Sequence, residues 1–387
     1  MFSRFQKVPG LMNNKIARFL SEVSPETPCL VVDLDVVADA YELLCRYLSV
    51  ASVYYAVKAN PAPEIVAMLA RKGSNFDVAS PAEIRLCLGN GATADRLSFG
   101  NTIKKEKDIA FAYEAGVRLF AFDSEAELDK LARQAPGARV FCRILVSCEG
   151  ADWPLSRKFG CSPEMAIGLL HKARALGLDP YGVSFHVGSQ QTDLGQWDRA
   201  VGAVARMFTL LAETDINLRM VNIGGGFPAQ YRGEIASIEQ YAQAVTDALT
   251  AHFGNRLPEI IVEPGRSLVG DAGVIQSEVI LIADKGDGGD KRWVYLDVGK
   301  FNGLAETMGE AIKYRIEARD RSGPPLPVII AGPTCDGADI LYERTEYRLP
   351  EDLAVGDKVE ILSTGAYTAS YASVGFNGFP PLRTYCI

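Results

Sequence analysis

The chain has 387 residues, of which 48% are hydrophobic and 23% are charged, and this composition excludes an intrinsically disordered protein. No apolar run reaches the roughly 18–20 residues of a membrane helix, and the N-terminal segment lacks the continuous apolar stretch of a signal peptide. The formal net charge of −8 disfavours a nucleic-acid-binding protein and favours cationic small ligands. We therefore expect a cytoplasmic protein that binds neither nucleic acid nor membrane.

The eight cysteines and three histidines are too scattered for a disulfide framework or a zinc site. No Cys-x-x-Cys pair occurs, and none of His171, His186 and His252 has a partner histidine at helical spacing. We expect no bound metal and a reducing compartment.

Eight short apolar runs, rich in β-branched and aromatic residues, follow one another in the first two-thirds of the chain, and each predicts a strand. They cover residues 52–59, 75–80, 96–100, 117–124, 138–146, 181–189, 218–225 and 259–265. Stretches with helical periodicity separate them, among them residues 64–73, 164–177 and 197–211. Eight consecutive strand–helix units favour a closed (β/α)8 barrel of TIM type over an open, doubly wound sheet.

The pattern changes after residue 268, where strand-like runs are separated by Gly, Pro and Asp turns with little helical periodicity. These runs are residues 273–283, 292–299, 326–332 and 357–364. We predict an α/β barrel domain over residues 28–267 and a C-terminal β domain over residues 268–387. The segment 1–27 is expected to pack on the β domain.

In a barrel of parallel strands, functional side chains gather at the C-terminal ends of the strands. The first strand ends at Lys58, and a lysine that closes an apolar strand is partly desolvated, which suits Schiff-base chemistry. Taken alone, such a lysine is more typical of a strand end that reaches solvent. The seventh strand ends in Gly224–Gly226 and the eighth in Glu263–Arg266. Consecutive glycines let backbone N–H groups approach a phosphate, to which Arg266 adds charge-assisted hydrogen bonds.

A phosphate site facing a lysine inside a barrel indicates pyridoxal 5′-phosphate (PLP) as the cofactor. PLP also needs a partner for its pyridine nitrogen, and Glu263 is the candidate because a carboxylate keeps that nitrogen protonated. His186 closes the sixth strand and is a candidate to stack on the ring. The alternative for His186 is a structural histidine bonded to the backbone.

Seven ordered motifs resemble the fold-type III PLP decarboxylases and, within them, the bacterial type of the ornithine/lysine decarboxylase branch. The motifs are YYAVKAN, FDVASPAEI, FHVGSQ, GGGFP, EPGR, GPTCDGAD and FNGF, and the resemblance runs from about residue 28 to the C-terminus. It implies the two-domain architecture of alanine racemase-like enzymes. It also implies decarboxylation of a basic L-amino acid, L-ornithine to putrescine or also L-lysine to cadaverine, in polyamine biosynthesis.

The resemblance assigns roles to residues of the barrel. Lys58 matches the lysine that forms the Schiff base with PLP, Asp77 matches an aspartate beside it, and Glu263 matches the partner of the pyridinium nitrogen. The other implied cofactor contacts are Arg143, His186, Ser189, Gly225, Gly226, Gly265, Arg266 and Tyr367, with Glu83 as a supporting polar residue.

The GPTCDGAD motif carries the remaining implied roles. Cys335 matches the acid that protonates the substrate carbon after carbon dioxide leaves, and Asp336 matches the acid that binds the distal ammonium of the substrate. In such enzymes both come from the partner subunit, which implies a homodimer with shared active sites. Elsewhere, a cysteine is more often a small buried apolar residue.

Substrate length is expected to depend on Glu306 and Thr307, which fall where the animal ornithine enzymes place an aspartate. One methylene is worth only about 1–3 kcal/mol, so ornithine, lysine and arginine stay open as substrates. A second substrate carboxylate would meet Glu306 and Asp336, which disfavours a diaminopimelate decarboxylase. A racemase would need a catalytic tyrosine in place of the TCDG donor. A catalytically inactive relative that only binds partners is the alternative from another class, but Lys58 and Glu263 are both present.

Overall fold

The computed structural model describes residues 14–153, 158–286 and 291–387. Its strands, in chain order, are β1 (Cys29–Val32), β2 (Ala51–Ala56), β3 (Asn75–Val78), β4 (Leu97–Phe99), β5 (Leu119–Phe122), β6 (Arg139–Arg143), β7 (Ala151–Trp153), β8 (Asp179–Ser184), β9 (Ser189–Gln191), β10 (Met220–Asn222), β11 (Glu259–Val262), β12 (Gly273–Ala283), β13 (Arg292–Leu296), β14 (Arg315–Glu317), β15 (Pro325–Ala331), β16 (Ile340–Pro350), β17 (Lys358–Leu362) and β18 (Arg383–Cys386).

The α-helices of the same residues are α1 (Asn14–Val23), α2 (Leu34–Tyr47), α3 (Pro63–Arg71), α4 (Pro81–Gly89), α5 (Glu106–Glu114), α6 (Glu125–Gln134), α7 (Pro163–Ala175), α8 (Gly195–Ala212), α9 (Ile238–Phe253) and α10 (Arg266–Val269). Short 3-10 segments include Val57–Ala59 and Ala305–Glu310, and the second is kinked at Met308 and Gly309. None of the helices in the described ranges combines the length and the apolar character needed to cross a membrane.

Eight parallel strands close into a barrel in the order β10-β11-β2-β3-β4-β5-β6-β8. Short strands such as β5 and β10 are buried at every position, as expected for parallel strands covered on both faces. Side chains of five strands form one buried cluster around Tyr54, Phe141 and Ile261. Each of the eight strands coincides with a predicted apolar run, so the (β/α)8 barrel is confirmed.

The C-terminal part forms a mixed sheet, which confirms the predicted β architecture. Its main path is β14-β17-β12-β13-β15-β16, and β1 extends the sheet by pairing with β12 and with β18. The eleven-residue strand β12 organises the sheet, because it pairs with β1, β13 and β17 along its length.

The sheet also contains residues that are predicted for the barrel. Strand β1 lies antiparallel to β12, with Cys29 opposite Gln276, and parallel to β18. The barrel unit comprises Ala38–Pro228 and Ile235–Leu268; the β unit comprises the residues up to Val37, Ala229–Glu234 and Val269–Ile387. The predicted boundary at residue 28 is therefore corrected to Ala38. An apolar strand such as CLVV suits a barrel and a sheet equally, and its distant partner decides between them.

Helix α1 belongs to the β unit. Its two buried side chains, Ile16 and Leu20, pack in one cluster with Val31, Val274 and Leu362. The apolar face of the helix therefore covers part of the sheet that β1 and β12 build.

Candidate functional site

Lys58 and Asp77 form an ion pair at the C-terminal ends of β2 and β3. The two strands are parallel neighbours with Ala56 opposite Asp77, and Lys58 follows in the turn after β2. The Lys58 Nζ lies 3.0 Å from Asp77 Oδ2; the lysine side chain is half exposed and the aspartate is buried. The strand register thus delivers a solvent-accessible amine held against a buried carboxylate.

Asp77 also has a buried oxygen without a hydrogen-bond partner. Its Oδ1 is unsatisfied among the described residues. This oxygen occupies the space above Gly100, where a Cβ atom would lie only 2.0 Å from it. A buried unsatisfied carboxylate oxygen is costly unless a ligand supplies a donor, so this atom could accept a hydrogen bond from a ligand.

Glu263 follows β11 and is held by Asn222, the last residue of β10. The Asn222 side-chain amide donates to Glu263 Oε1, and its carbonyl oxygen accepts the Gly224 N–H at 2.9 Å. Burial raises the pKa of Glu263 to about 7, and the charge of Asp77 adds to the rise. The Lys58 charge and the Asn222 hydrogen bond act in the opposite direction. The Glu263 carboxyl therefore ionises near neutral pH, and its negative charge would then match a cationic ring nitrogen.

Asn222 is a functional residue that no sequence motif indicates. Its buried amide connects the carboxyl of Glu263 to the glycine run, so it positions both parts of the site. The sequence feature that could indicate Asn222 is its position at the end of a predicted strand, two residues before the glycines.

His186 is neutral and has a fixed tautomer. Its Nδ1 accepts the Gly188 N–H at 3.0 Å, which leaves the proton on Nε2. Burial lowers the pKa of His186 well below its usual value, and the charges of Arg143 and Lys58 lower it further. The imidazole can therefore contact an aromatic ring without adding charge to the site.

The glycine run after β10 brings bare backbone close to His186 and Glu263. A Cβ at Gly225 would lie 2.6 Å from the Glu263 carbonyl oxygen. Gly226 has φ +102°, and a Cβ there would lie 2.7 Å from the Gly188 carbonyl oxygen. Only glycine fits both positions, which is the steric requirement of a backbone phosphate cradle.

A buried guanidinium completes this side of the barrel. Arg266 follows Gly265 at the start of α10, and its Nε and Nη2 donate to the Ser189 hydroxyl at 3.2 and 3.1 Å. Ser189 begins β9, which pairs with β7. The arginine, the serine and the glycine N–H groups are donors, as a phosphate requires.

Arg143 and Glu83 are the remaining predicted polar residues of the barrel. Arg143 ends β6; burial lowers the pKa of its guanidinium, while the charges of Glu263 and Asp77 raise it. Glu83 accepts the Ala79 N–H at 2.6 Å, and burial raises the pKa of its carboxyl. Arg143 therefore belongs to the charge network of the site, and Glu83 holds the turn after β3.

Cys335 and Asp336 lie in the β unit on a turn with an exposed tip. Both residues are exposed in the single chain. The buried Asp339 anchors the turn: its carboxylate accepts the Thr334 N–H at 3.1 Å and the Lys300 N–H at 2.7 Å. The turn is thus rigid at its base and presents a thiol and a carboxylate outward. Asp339 is thus a second positioning residue, for which the sequence predicted no role.

The other predicted residues of the β unit have different environments. Glu306 and Thr307 are both buried in a 3-10 turn, and the Thr307 hydroxyl donates to the Leu304 carbonyl at 2.7 Å. The Thr307 hydroxyl is neutral, whereas Glu306 carries a carboxyl group, so Glu306 is the better candidate for a cationic ligand. Tyr367 is partly buried with φ +55°, in a left-handed conformation.

The barrel residues fit PLP in their chemistry. They supply a primary amine (Lys58), a carboxyl for the ring nitrogen (Glu263), a neutral imidazole and a donor-lined phosphate cradle. The unsatisfied Asp77 oxygen adds an acceptor for a cationic group. No set of described His, Cys, Asp and Glu side chains could hold a metal ion.

Comparisons with known proteins agree with this geometry. The model of the family described as "Pyridoxal-dependent decarboxylase, pyridoxal binding domain" matches residues 34–270, more than half of the chain. The lysine/ornithine decarboxylase of Selenomonas ruminantium is 35% identical over 370 residues, which cover 95% of this chain and 91% of the relative.

Solved structures extend the similarity over nearly the whole chain. The lysine decarboxylase of Selenomonas ruminantium superposes with a TM-score of 0.87 at 33% identity, covering 97% of this chain and 96% of the other. The Paramecium bursaria Chlorella virus arginine decarboxylase gives a TM-score of 0.88 at 28% identity, covering 97% and 100%. The predicted family and the predicted cofactor are thereby confirmed. The chain belongs to the fold-type III PLP-dependent decarboxylases.

Proposed function

We propose that this protein decarboxylates a basic L-amino acid, with L-ornithine as the preferred substrate and L-lysine as a second one, giving putrescine and cadaverine. The observation that carries the proposal is the Lys58–Asp77 pair beside a buried carboxyl, Glu263, whose pKa is raised to about 7. A lysine, a carboxylate and a ring-nitrogen partner at one end of the barrel are the groups a PLP decarboxylase needs.

The barrel residues divide the work of holding the cofactor. PLP supplies an electron sink that stabilises negative charge at the substrate Cα when carbon dioxide leaves. The Lys58 amine would hold the cofactor at its aldehyde carbon, and Asp77 keeps that amine in place. Glu263 would keep a proton on the ring nitrogen, and Arg266 with Ser189 would bind the phosphate.

Cys335 and Asp336 are proposed to act on the substrate from a neighbouring subunit. The Cys335 thiol delivers a proton to Cα, and the Asp336 carboxylate binds the distal ammonium. Both side chains are exposed in the single chain. This exposure supports a role in the site of a neighbouring subunit, because that subunit would shield the two groups from water. The exposed apolar residues Tyr371, Val374 and Phe376 lie in the same unit and suit a homodimer interface.

The substrate proposal rests on the acidic groups of the β unit and on the relatives. Glu306 is buried and Asp336 is exposed, so the chain offers two carboxylates for a distal cation. The relatives described above are lysine/ornithine, lysine and arginine decarboxylases. A distal ammonium matches this common preference for cationic side chains.

The test is a comparison of kcat/KM for L-ornithine, L-lysine and L-arginine with PLP present. We expect kcat/KM for ornithine to exceed that for lysine by about 10-fold, which is the effect of about one methylene. The kcat/KM for arginine should be lower still. A higher kcat/KM for lysine or arginine than for ornithine would overturn the substrate order. Diamine products are identified by mass spectrometry.

Replacing the buried guanidinium of the phosphate site should weaken cofactor binding. Arg266→Ala removes charge-assisted hydrogen bonds, which are worth about 1.5–3 kcal/mol, so the dissociation constant of PLP should rise about 10- to 100-fold. Titration of the apoprotein with PLP by fluorescence measures it. Arg133→Ala is the control, because Arg133 pairs with an exposed glutamate on α5; equal PLP affinity in both variants would refute the phosphate assignment.

Shared active sites predict complementation between two inactive variants. Each site is proposed to take Lys58 from one subunit and Cys335 from the other. A dimer of one Lys58→Ala subunit and one Cys335→Ala subunit therefore retains one intact site of two. Random mixing in equal amounts should recover about one quarter of the wild-type activity. Heterodimers are verified with two affinity tags; verified heterodimers without activity would exclude a shared site.

A further inference from the structure

Two cysteines, Cys142 and Cys161, face each other next to the cofactor site without forming a bond. Their Sγ atoms lie 3.6 Å apart. Cys142 is fully buried in β6, and Cys161 is 6% exposed. A disulfide needs about 2.05 Å between the sulfur atoms, so a small movement of each side chain would bring them to bonding distance.

Backbone hydrogen bonds hold the two residues in register. The Cys161 N–H donates to the Arg143 carbonyl at 3.1 Å, and the Leu145 N–H donates to the Cys161 carbonyl at 2.9 Å. The Gly160 N–H also donates to Asp123 Oδ2 at 2.8 Å. The close approach of the sulfur atoms is therefore built into the pairing of the two segments.

The two thiols differ in their readiness to ionise. The hydrogen bond between the two sulfur atoms lowers the pKa of Cys161. Burial raises the pKa of Cys142 well above its usual value, and the neighbouring Cys161 adds to the rise. Cys161 is thus the candidate for the attacking cysteine, and Cys142, which is more deeply buried, is the candidate for the resolving one.

The pair lies against a residue of the cofactor site. Arg143 directly follows Cys142 in β6, and the Sγ of Cys161 lies 3.7 Å from the Arg143 carbonyl oxygen. The Arg143 guanidinium lies 5.4 Å from the centre of the Phe159 ring, two residues before Cys161. A covalent bond between Cys142 and Cys161 would therefore change the position of Arg143.

We propose that Cys142 and Cys161 form a reversible dithiol–disulfide pair that hydrogen peroxide or another hydroperoxide oxidises. The Cys161 thiolate attacks the peroxide oxygen, which gives a sulfenic acid and hydroxide. The Cys142 thiol then attacks the sulfenic sulfur, forms the S–S bond and loses its proton, and the sulfenic oxygen leaves as water. In total, two thiols and one hydrogen peroxide give one disulfide and two waters.

The test maps the bond in the holoenzyme after peroxide treatment. Free thiols are alkylated, the protein is digested without reduction, and peptides are identified by mass spectrometry. We expect a Cys142–Cys161 cross-linked peptide that dithiothreitol removes, while the buried Cys29 and Cys87 remain alkylatable after unfolding. The experiment is repeated in the Cys335→Ala variant, which lacks the exposed thiol. The readout is the peptide mass and does not depend on activity.

Single variants test the order of the two steps. In Cys142→Ser, the sulfenic acid at Cys161 has no resolving thiol and should be trapped by dimedone. In Cys161→Ser, Cys142 should remain a thiol and bind no dimedone. Cys45→Ser on helix α2 is the control and should retain the cross-link. Absence of the cross-link at a peroxide dose that fully oxidises Cys335 in the wild type, or linkage of either cysteine to another partner, would overturn the proposal.

Discussion

Lys58→Ala is expected to lower the decarboxylation rate by at least about 1,000-fold and to abolish covalent attachment of PLP. The Lys58 amine is held 3.0 Å from Asp77 Oδ2, and it is the nucleophile proposed for the cofactor aldehyde. Reduction of the holoenzyme with borohydride should add a phosphopyridoxyl group to Lys58 in the wild type and to no lysine in the variant. Peptide mass spectrometry measures both.

The matched control is Lys72→Ala. Lys72 lies just after helix α3 and pairs with the exposed Glu42, so its loss should leave both the rate and the label unchanged. Phosphopyridoxyl label on a lysine other than Lys58, or near wild-type activity in Lys58→Ala, would contradict the assignment of the nucleophile.

Glu263→Gln is expected to reduce kcat by about 100-fold or more while PLP still binds. A neutral amide cannot hold the ring nitrogen in its protonated form, so the electron sink is weakened at the moment negative charge develops at Cα. Steady-state kinetics at saturating PLP measure the effect. Glu259→Gln is the control, because Glu259 lies exposed at the other end of the same strand, β11; an equal loss in both variants would show that the effect is structural.

Glu263 also predicts a pH dependence for the apoprotein. Burial raises the pKa of its carboxyl from the ordinary 4.5 to about 7 in the folded chain. Because the unfolded chain loses this proton at lower pH than the folded chain, stability is unaffected below about pH 4.5 and falls as the pH rises from 4.5 to 7. Glu263→Gln should remove this contribution. The drop in Tm between pH 5 and pH 7.5 should therefore be smaller in the variant, and an identical drop would contradict the raised pKa.

The barrel and its site were accessible from the sequence because parallel strands buried on both faces give continuous apolar runs. The residues that end those runs, Lys58, His186 and Glu263, must then share one end of the barrel. This rule brought together side chains as far apart in the chain as Lys58 and Glu263.

The positioning residues were not accessible, because hydrogen bonds over long sequence separations define them. Asn222 bonds to Glu263 across 41 residues, and Asp339 bonds to Lys300 across 39 residues. Asn222 precedes the glycine run and Asp339 ends the GPTCDGAD motif, but neither position predicts the partner of the hydrogen bond. Strand β1 escaped correct assignment for the same reason, since its partner β12 lies more than 240 residues further along the chain.

The turn that contains Glu306 and Thr307 illustrates a different difficulty. Spacing alone predicts both residues at the substrate position, and in the structure they lie in a kinked 3-10 segment that ends in left-handed residues at Gly309 and Glu310. Threonine readily bonds to a backbone carbonyl three residues earlier, and Thr307 does so here. Composition and spacing contain no information on such local competition.

The most direct test of the proposed activity is the stoichiometry of carbon dioxide and diamine released from carboxyl-labelled L-ornithine by the purified protein with PLP. We predict one carbon dioxide for each putrescine, with neither product from Lys58→Ala. A protein that binds PLP through Lys58 but releases no carbon dioxide from ornithine, lysine or arginine would contradict the account and indicate a relative that acts by binding alone.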